Sequence, residues 1–171
     1  MSGSEVPITL YTDGACSPNP GPGGWAAVLE SGPHQKVISG GVRRSTNNRM
    51  ELRAVIEALK CLKHDGSTVV VVTDSQYVAK AVTLGWLEKW AAKGFRKADG
   101  IRENADLWVE LRALLPRHSV TFRWIRGHAG HEKNEQCDLL AVAARRADGL
   151  GPDEGFENAA AAHGTLGLVK S

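Results

Sequence analysis

The chain has no apolar run that could span a bilayer, no closely paired cysteines and almost no net charge. Its longest apolar stretches, such as residues 69–72, fall far short of the roughly 20 residues a membrane helix needs. The opening residues, MSGSEVPI, lack the basic and apolar regions of a secretory signal, so cytoplasmic residence is expected. Cys16, Cys61 and Cys137 are odd in number and far apart. With no Cys-x-x-Cys pair, neither a zinc ribbon nor a redox dithiol is indicated. Reduced, partly buried thiols of a cytosolic protein fit instead. The glycine-rich PGPGG stretch lacks the Gly-Lys-Ser/Thr of a Walker loop, which argues against a nucleoside triphosphate site. A net charge of +2 does not by itself point to nucleic acid.

A chain of 171 residues suits one domain with a real core, and 42% hydrophobic with 23% charged residues is ordinary for a globular protein. The distribution of charge is more telling than its sum. From residue 147 onward Asp148, Asp153, Glu154 and Glu157 stand against the single Lys170. Residues 1–146 then hold 20 basic against 15 acidic side chains, a net +5 that suits a polyanionic partner. The remainder, residues 147–171, is rich in Gly and Ala and has no periodic apolar face. It is expected to be a mobile acidic tail.

Residues 8–11, 25–30 and 36–42 have strand character and form an antiparallel meander, with the turn-rich CSPNPGPGG stretch as a loop. Leu52, Val55, Ile56, Leu59 and Leu62 recur at helical spacing between residues 48 and 62, with Asn47 or Asn48 as N-cap. Residues 69–73 form a β-branched run buried on both faces. Residues 75–84 and 104–115 have helical patterns, Pro116 ending the second. Val120, Phe122 and Trp124 alternate as a strand, and a last helix covers residues 132–146. Strands followed by helices after an opening meander predict an α/β fold with a mixed sheet.

Four acids stand in specific contexts. Asp13 ends an apolar run in ITLYTDG, and Asp74 ends another in VVVVTDSQ. The carboxyl ends of strands are where open α/β sheets bind ligands. An aspartate there is most often a turn former, but TDGACSPNPGPGG and TDSQYV are far more specific than a lone Asp. Gly14 would let the backbone approach a ligand closely. Glu51, in STNNRMEL, is expected in the first turn of its helix, where the macrodipole favours glutamate. Asp138 follows the GHAGH loop on the last helix. Were the four to meet, charges about 4 Å apart would repel by roughly 4 kcal/mol at an effective dielectric near 20, which calls for a hard cation. His128, the first histidine of GHAGH, titrates near neutral pH. A zinc site with His131 and Cys137 matches no common pattern.

These words, in this order over about residues 8–146, resemble the ribonuclease HI family, which cuts the RNA strand of RNA–DNA hybrids. The resemblance implies a ribonuclease H-like fold with a five-stranded mixed sheet, three strands antiparallel and two added in parallel, flanked by helices. It implies a catalytic domain of residues 1–146, acting as a monomer on RNA–DNA hybrids and leaving 5′-phosphate and 3′-hydroxyl ends. Two Mg²⁺, or Mn²⁺, would be held by Asp13, Glu51, Asp74 and Asp138, with Asp13 bridging both. His128 would assist proton transfer or product departure. Asn19, Asn47, Asn48 and Gln76 match the family's minor-groove readers, whose amides suit 2′-hydroxyls and base edges. Arg44, Thr46 and Asn104 match its pocket for a DNA phosphate. Trp86 and Trp90 lie in the stretch matching its basic protrusion, where aromatics can stack on sugar or base. Lys89, Lys93, Arg96, Lys97 and Arg102 are there diluted by Glu88, Asp99 and Glu103. The alternatives are a non-catalytic hybrid-binding module and another metal nuclease of the superfold, integrase-like or resolvase-like. The full set of acids speaks against the first, and the Asn cluster with the GHAGH loop speaks against the second.

Overall fold

The strands are long, β-branched or small-residue runs, and their alternation decides which face of the sheet meets which helix. The computed structural model describes residues 6–160. Three strands open the chain, β1 (Ile8–Cys16), β2 (Gly21–Ser31) and β3 (His34–Ser45), followed by α1 (Asn47–Lys60) and β4 (Thr68–Thr73). Next come α2 (Gln76–Thr83), α3 (Trp86–Ala92), a small hairpin of β5 (Arg96–Lys97) and β6 (Gly100–Ile101), and α4 (Ala105–Leu114). A 3₁₀ turn over Leu115–Arg117 leads to β7 (Ser119–Trp124) and α5 (Glu132–Arg145). A further helical stretch covers residues 154–160.

The main sheet has the order β3-β2-β1-β4-β7, antiparallel across β3, β2 and β1 and parallel across β1, β4 and β7. This is the expected five-stranded mixed sheet. Along β2, Ala27 and Leu29 face a core with Leu10, Val69 and Val71, on which α1, α2, α3 and α4 pack through Leu52, Ile56, Val78, Leu87 and Trp108. Ala26 and Val28 face the other way, onto Cys137 and Ala141 of α5. The period of two in a strand thus serves both layers.

Three local expectations are corrected. The PGPGG stretch is the start of β2 rather than a loop, its Gly21 and Gly23 pairing with Ser45 and Val42. Glycine is needed there because a Cβ on Gly24 would strike the backbone of Ala141 and Arg145, so α5 rests directly on the strand. The N-cap of α1 is Thr46, whose side chain accepts from the Arg49 amide at 3.3 Å, leaving the Asn47 and Asn48 side chains free of that role. Glu51 lies in the second turn of α1, beyond the reach of a first-turn dipole effect. It sits four residues before Val55, on the buried stripe, which explains its 5% exposure.

The chain does not leave the body at residue 146. The backbone of Arg43 donates to the Gly151 carbonyl at 2.8 Å, and Asp153 is buried among side chains of β3 and α1. Periodicity could not reveal this, because the contact is made by one polar residue and not by an apolar face. The part of the expected tail beyond residue 160 lies outside the described residues.

Candidate metal centre and substrate face

Strand register brings the first two acids together. In the parallel pair of β1 and β4 the last matched residues are Thr12 and Thr73. The next residue of each chain segment is an aspartate, so Asp13 and Asp74 emerge side by side at one sheet edge. Helix α1 supplies the third acid by close approach. A Cβ on Gly14 would lie 2.5–2.8 Å from the backbone and Cβ of Met50 and the amide of Glu51. The glycine therefore serves the approach of α1 to β1, where a ligand contact was expected. Oxygens of Asp13, Glu51 and Asp74 all lie within 4.8 Å of one another.

Asp138 of α5 and His128 line the same polar cavity of about 430 Å³, together with Asn47, Asn48 and Gln76. Asp138 is outside the tight group of three. His128 has φ +56, in the left-handed region, between Gly127 and Gly130 on the loop after β7. Such backbone strain in a bulky residue is characteristic of functional sites. Gly127 is packed so closely that a Cβ would come within 2.7 Å of Asp74 Oδ2. The Trp124 indole N–H donates to the Asp74 carbonyl at 2.9 Å and ties β7 to the same edge.

The cluster is electrostatically uncomfortable on its own. Burial, and then the Asp74 carboxylate, push the Asp13 carboxyl up to about 8. Burial raises Glu51 well above the ordinary carboxylate range, with Asp13 and Asp74 adding to it. Burial also raises Asp74, and Asp138 adds to that shift. Glu51 Oε2 is buried without a hydrogen-bond partner among the described residues. A neutral structural role would leave that oxygen satisfied. An all-carboxylate donor set with an orphaned oxygen fits a hard divalent cation.

The residues expected to read substrate fall in two adjoining places. Asn47, Asn48 and Gln76 are at the acid cavity, as described. Asn19, Thr46 and Asn104 line a neighbouring cavity of about 700 Å³, which Asn47 and Asn48 also border. Asn19 Oδ1 accepts from the Asn47 amide at 3.2 Å, joining the β1–β2 connection to α1. Asn104, at φ +62, donates through Nδ2 to the Tyr77 hydroxyl at 3.0 Å. Arg44 is exposed near the end of β3 and lines neither cavity. Trp86 is 38% exposed, whereas Trp90 packs edge-on against buried Trp108 at 5.3 Å between ring centres. Arg102 covers Trp90 at 4.4 Å, so Trp86 offers the freer ring.

Sequence reasoning missed Arg49, Asp106 and Asp153. A signal was present for the first: Arg49 is three residues before Leu52 and seven before Ile56, on the apolar stripe, where a charge must find partners.

The family model for RNase H matches residues 5–146. The Ribonuclease H of Nitratidesulfovibrio vulgaris (strain DP4) is 50% identical over 154 residues, covering 90% of this chain and 98% of that protein. That of Polynucleobacter asymbioticus is 57% identical over 140 residues, covering 81% and 89%. Among solved structures, LC9-RNase H1, a type 1 RNase H with the type 2 active-site motif, superposes with a TM-score of 0.75. It is 34% identical, covering 83% of this chain and 73% of its own.

Proposed function

Because the chain belongs to the ribonuclease H family, metal-dependent endoribonucleases that hydrolyse the RNA strand of RNA–DNA hybrids, we propose that its reaction centre is the acid cavity at the ends of β1 and β4. Asp13, Glu51, Asp74 and Asp138 would hold two divalent ions, Mg²⁺ or Mn²⁺. Such ions supply Lewis acidity toward the attacking water and neutralise charge on the departing 3′ oxygen. The observation that carries this reading is the convergence of three carboxylates within 4.8 Å, with one buried oxygen unpartnered.

The chain's own residues set the geometry. Asp13 lies against both Glu51 and Asp74 and would contribute to holding both ions. His128, on the strained loop across the cavity, moves a proton or eases product departure, and the products carry 5′-phosphate and 3′-hydroxyl ends. Asn47, Asn48 and Gln76 line the acid cavity and Asn19 the cavity beside it, and the four read the minor groove, where 2′-hydroxyls distinguish RNA. Arg44, Thr46 and Asn104 hold a phosphate of the DNA strand, and Trp86 with Trp90, Lys89 of α3 and Lys93 just after it lies along that strand beyond it. The protein acts as a cytoplasmic monomer. No helix among the described residues is long and apolar enough to cross a membrane.

The test is incubation of the protein with hybrid, duplex DNA and duplex RNA, each in Mg²⁺ or EDTA. RNA-strand cleavage of the hybrid alone, and only with metal, is expected. Cleavage of duplex DNA would favour a resolvase-like activity. Hybrid binding without cleavage in any divalent ion would leave a silent binding module.

A further inference from the structure

The segment after α5 returns to the start of α1 and is fastened there by a buried ionic cluster. Arg49 is 3% exposed and grips Asp153 with two nitrogens, Nε to Oδ2 at 2.8 Å and Nη2 to Oδ1 at 2.9 Å. Its other edge reaches Asp106 at 2.8 and 2.7 Å, and Nη1 reaches Asn104 Oδ1 at 3.4 Å. Ser45 Oγ donates to Asp153 Oδ2 at 2.6 Å. Asp153 Oδ1 also accepts from the Phe156 amide at 3.3 Å, opening the helical stretch of residues 154–160. A Cβ on Gly155 would collide with the ends of the Asp106 and Arg49 side chains, so glycine there lets the turn seat without displacing that ion pair.

Arg49 and Asp106 of this cluster line the 700 Å³ cavity together with Thr46, Asn104, Phe156 and Ala159. Arg49 follows Thr46, Asn47 and Asn48 in sequence, and one guanidinium joins that turn to Asn104 and to the C-terminal segment. A bidentate guanidinium–carboxylate contact fixes direction as well as distance. Ser45, pinned by Asp153, is also the last residue of β3 and the neighbour of Arg44 and Thr46.

We propose that the C-terminal return serves the DNA-strand face through Asp153, a positioning residue that holds Arg49 and Ser45 and through them keeps Thr46, Asn104 and the neighbouring Arg44 in register. The inference rests on the reading of that pocket as a DNA-phosphate site. It differs from the expectation of a mobile acidic tail from residue 147 onward. The carboxylate of Asp153 is engaged inward and is not free to repel substrate.

The experiment is a steady-state scan of hybrids whose DNA strand carries one uncharged methylphosphonate at successive positions. It is run on wild type, Asp153→Ala, Asp153→Glu and Glu154→Gln, well below their melting temperatures. Glu154 is exposed and carries the same charge, so its variant controls for tail electrostatics. In wild type, neutralising one DNA phosphate should raise KM by about tenfold. Asp153→Ala should raise KM on the unmodified hybrid several-fold with kcat within twofold, and should flatten the scan at that position. Asp153→Glu should restore part of the position dependence, and Glu154→Gln should match wild type. A scan in Asp153→Ala as sharp as in wild type overturns the positioning role while leaving the phosphate pocket intact. A KM that rises equally for Glu154→Gln makes the effect a general disturbance of the segment and also overturns it. If wild type shows no sensitive DNA position, the pocket reading fails and the inference falls with it.

Discussion

Asp13 carries a heavy electrostatic burden, with burial and the Asp74 carboxylate both opposing its charge, and its titration should be visible in stability. Its folded carboxyl sits at about 8 against an ordinary value near 4. A raised acid binds more protons in the folded state, so stability falls as pH rises between those values. In EDTA the melting temperature should therefore decline from about pH 5 to pH 8, and Asp13→Asn should flatten that decline. At pH 8 the metal-free variant should melt higher than wild type, by about 2–4 °C for each kcal/mol relieved. An identical pH profile for the two proteins contradicts the buried-acid account. On the proposed reading Mg²⁺ binds the native cluster and not the unfolded chain, and an ion that does so stabilises the fold. It should accordingly raise the melting temperature of wild type more than that of Asp13→Asn. His128→Ala should slow turnover by about 10²-fold, the low end for general acid–base assistance, checked by single-turnover kinetics against release-limited steady state. Asp13 and Asp74 were legible in the sequence because each follows a β-run directly, and register does the rest. Glu51 was singled out by the family word STNNRMEL, and only its expected place in the first turn was not met. Its buried position follows from the helical stripe, and a dipole effect would have left it at the surface.

Helix α5 and the C-terminal segment show what element-level patterns reveal and what they conceal. The expected strand and helix ranges, read from apolar spacing, each overlap an observed element, whereas α3, β5, β6 and the helical stretch of residues 154–160 had no expected range. The start of β2 was hidden because its glycines are required by the backbone of α5, a tertiary neighbour that local turn chemistry does not register. Gly24→Ala should therefore destabilise the fold by more than the usual cost of a surface change, seen as a lower denaturant midpoint with an unchanged slope. The return of residues 151–157 was hidden because a buried Arg–Asp pair has no periodicity. Truncation after Arg146 would leave Arg49 buried with Asp106 as its remaining carboxylate. Breaking a buried pair costs about 3–5 kcal/mol, and unfolding in urea should show a loss of that order. Burial opposes ionisation of Asp153, yet the bonds from Arg49 and Ser45 outweigh it and hold its carboxyl below the usual range. The stability it lends is complete above the unfolded carboxylate value and is lost as pH falls through the lower folded one. Acid unfolding of Asp153→Asn should consequently be shallower than that of wild type, on the opposite side of neutrality from the Asp13 effect.

At the scale of the whole molecule, one sheet edge collects the chemistry. The ends of β1 and β4, the loop after β7, the start of α1 and the middle of α5 meet there, although their residues span positions 13 to 138. No single motif encodes that convergence. Four separate words did, and they were readable only because their order matched a known family. The body's modest excess of positive charge belongs to the same scale. Hybrid affinity should fall with rising salt as phosphate counterions are released, measured as the dependence of KM on KCl. The central claim is that buried carboxylates at this edge hold the divalent ions on which RNA cleavage depends. The most direct measurement is single-turnover cleavage of a short hybrid at saturating Mg²⁺ by wild type and Asp13→Asn, both shown to be folded by circular dichroism. The account predicts a rate loss of about 10³-fold or more with the fold intact, of the size seen when a key transition-state contact is removed. Hydrolysis within a few-fold of wild type would contradict it.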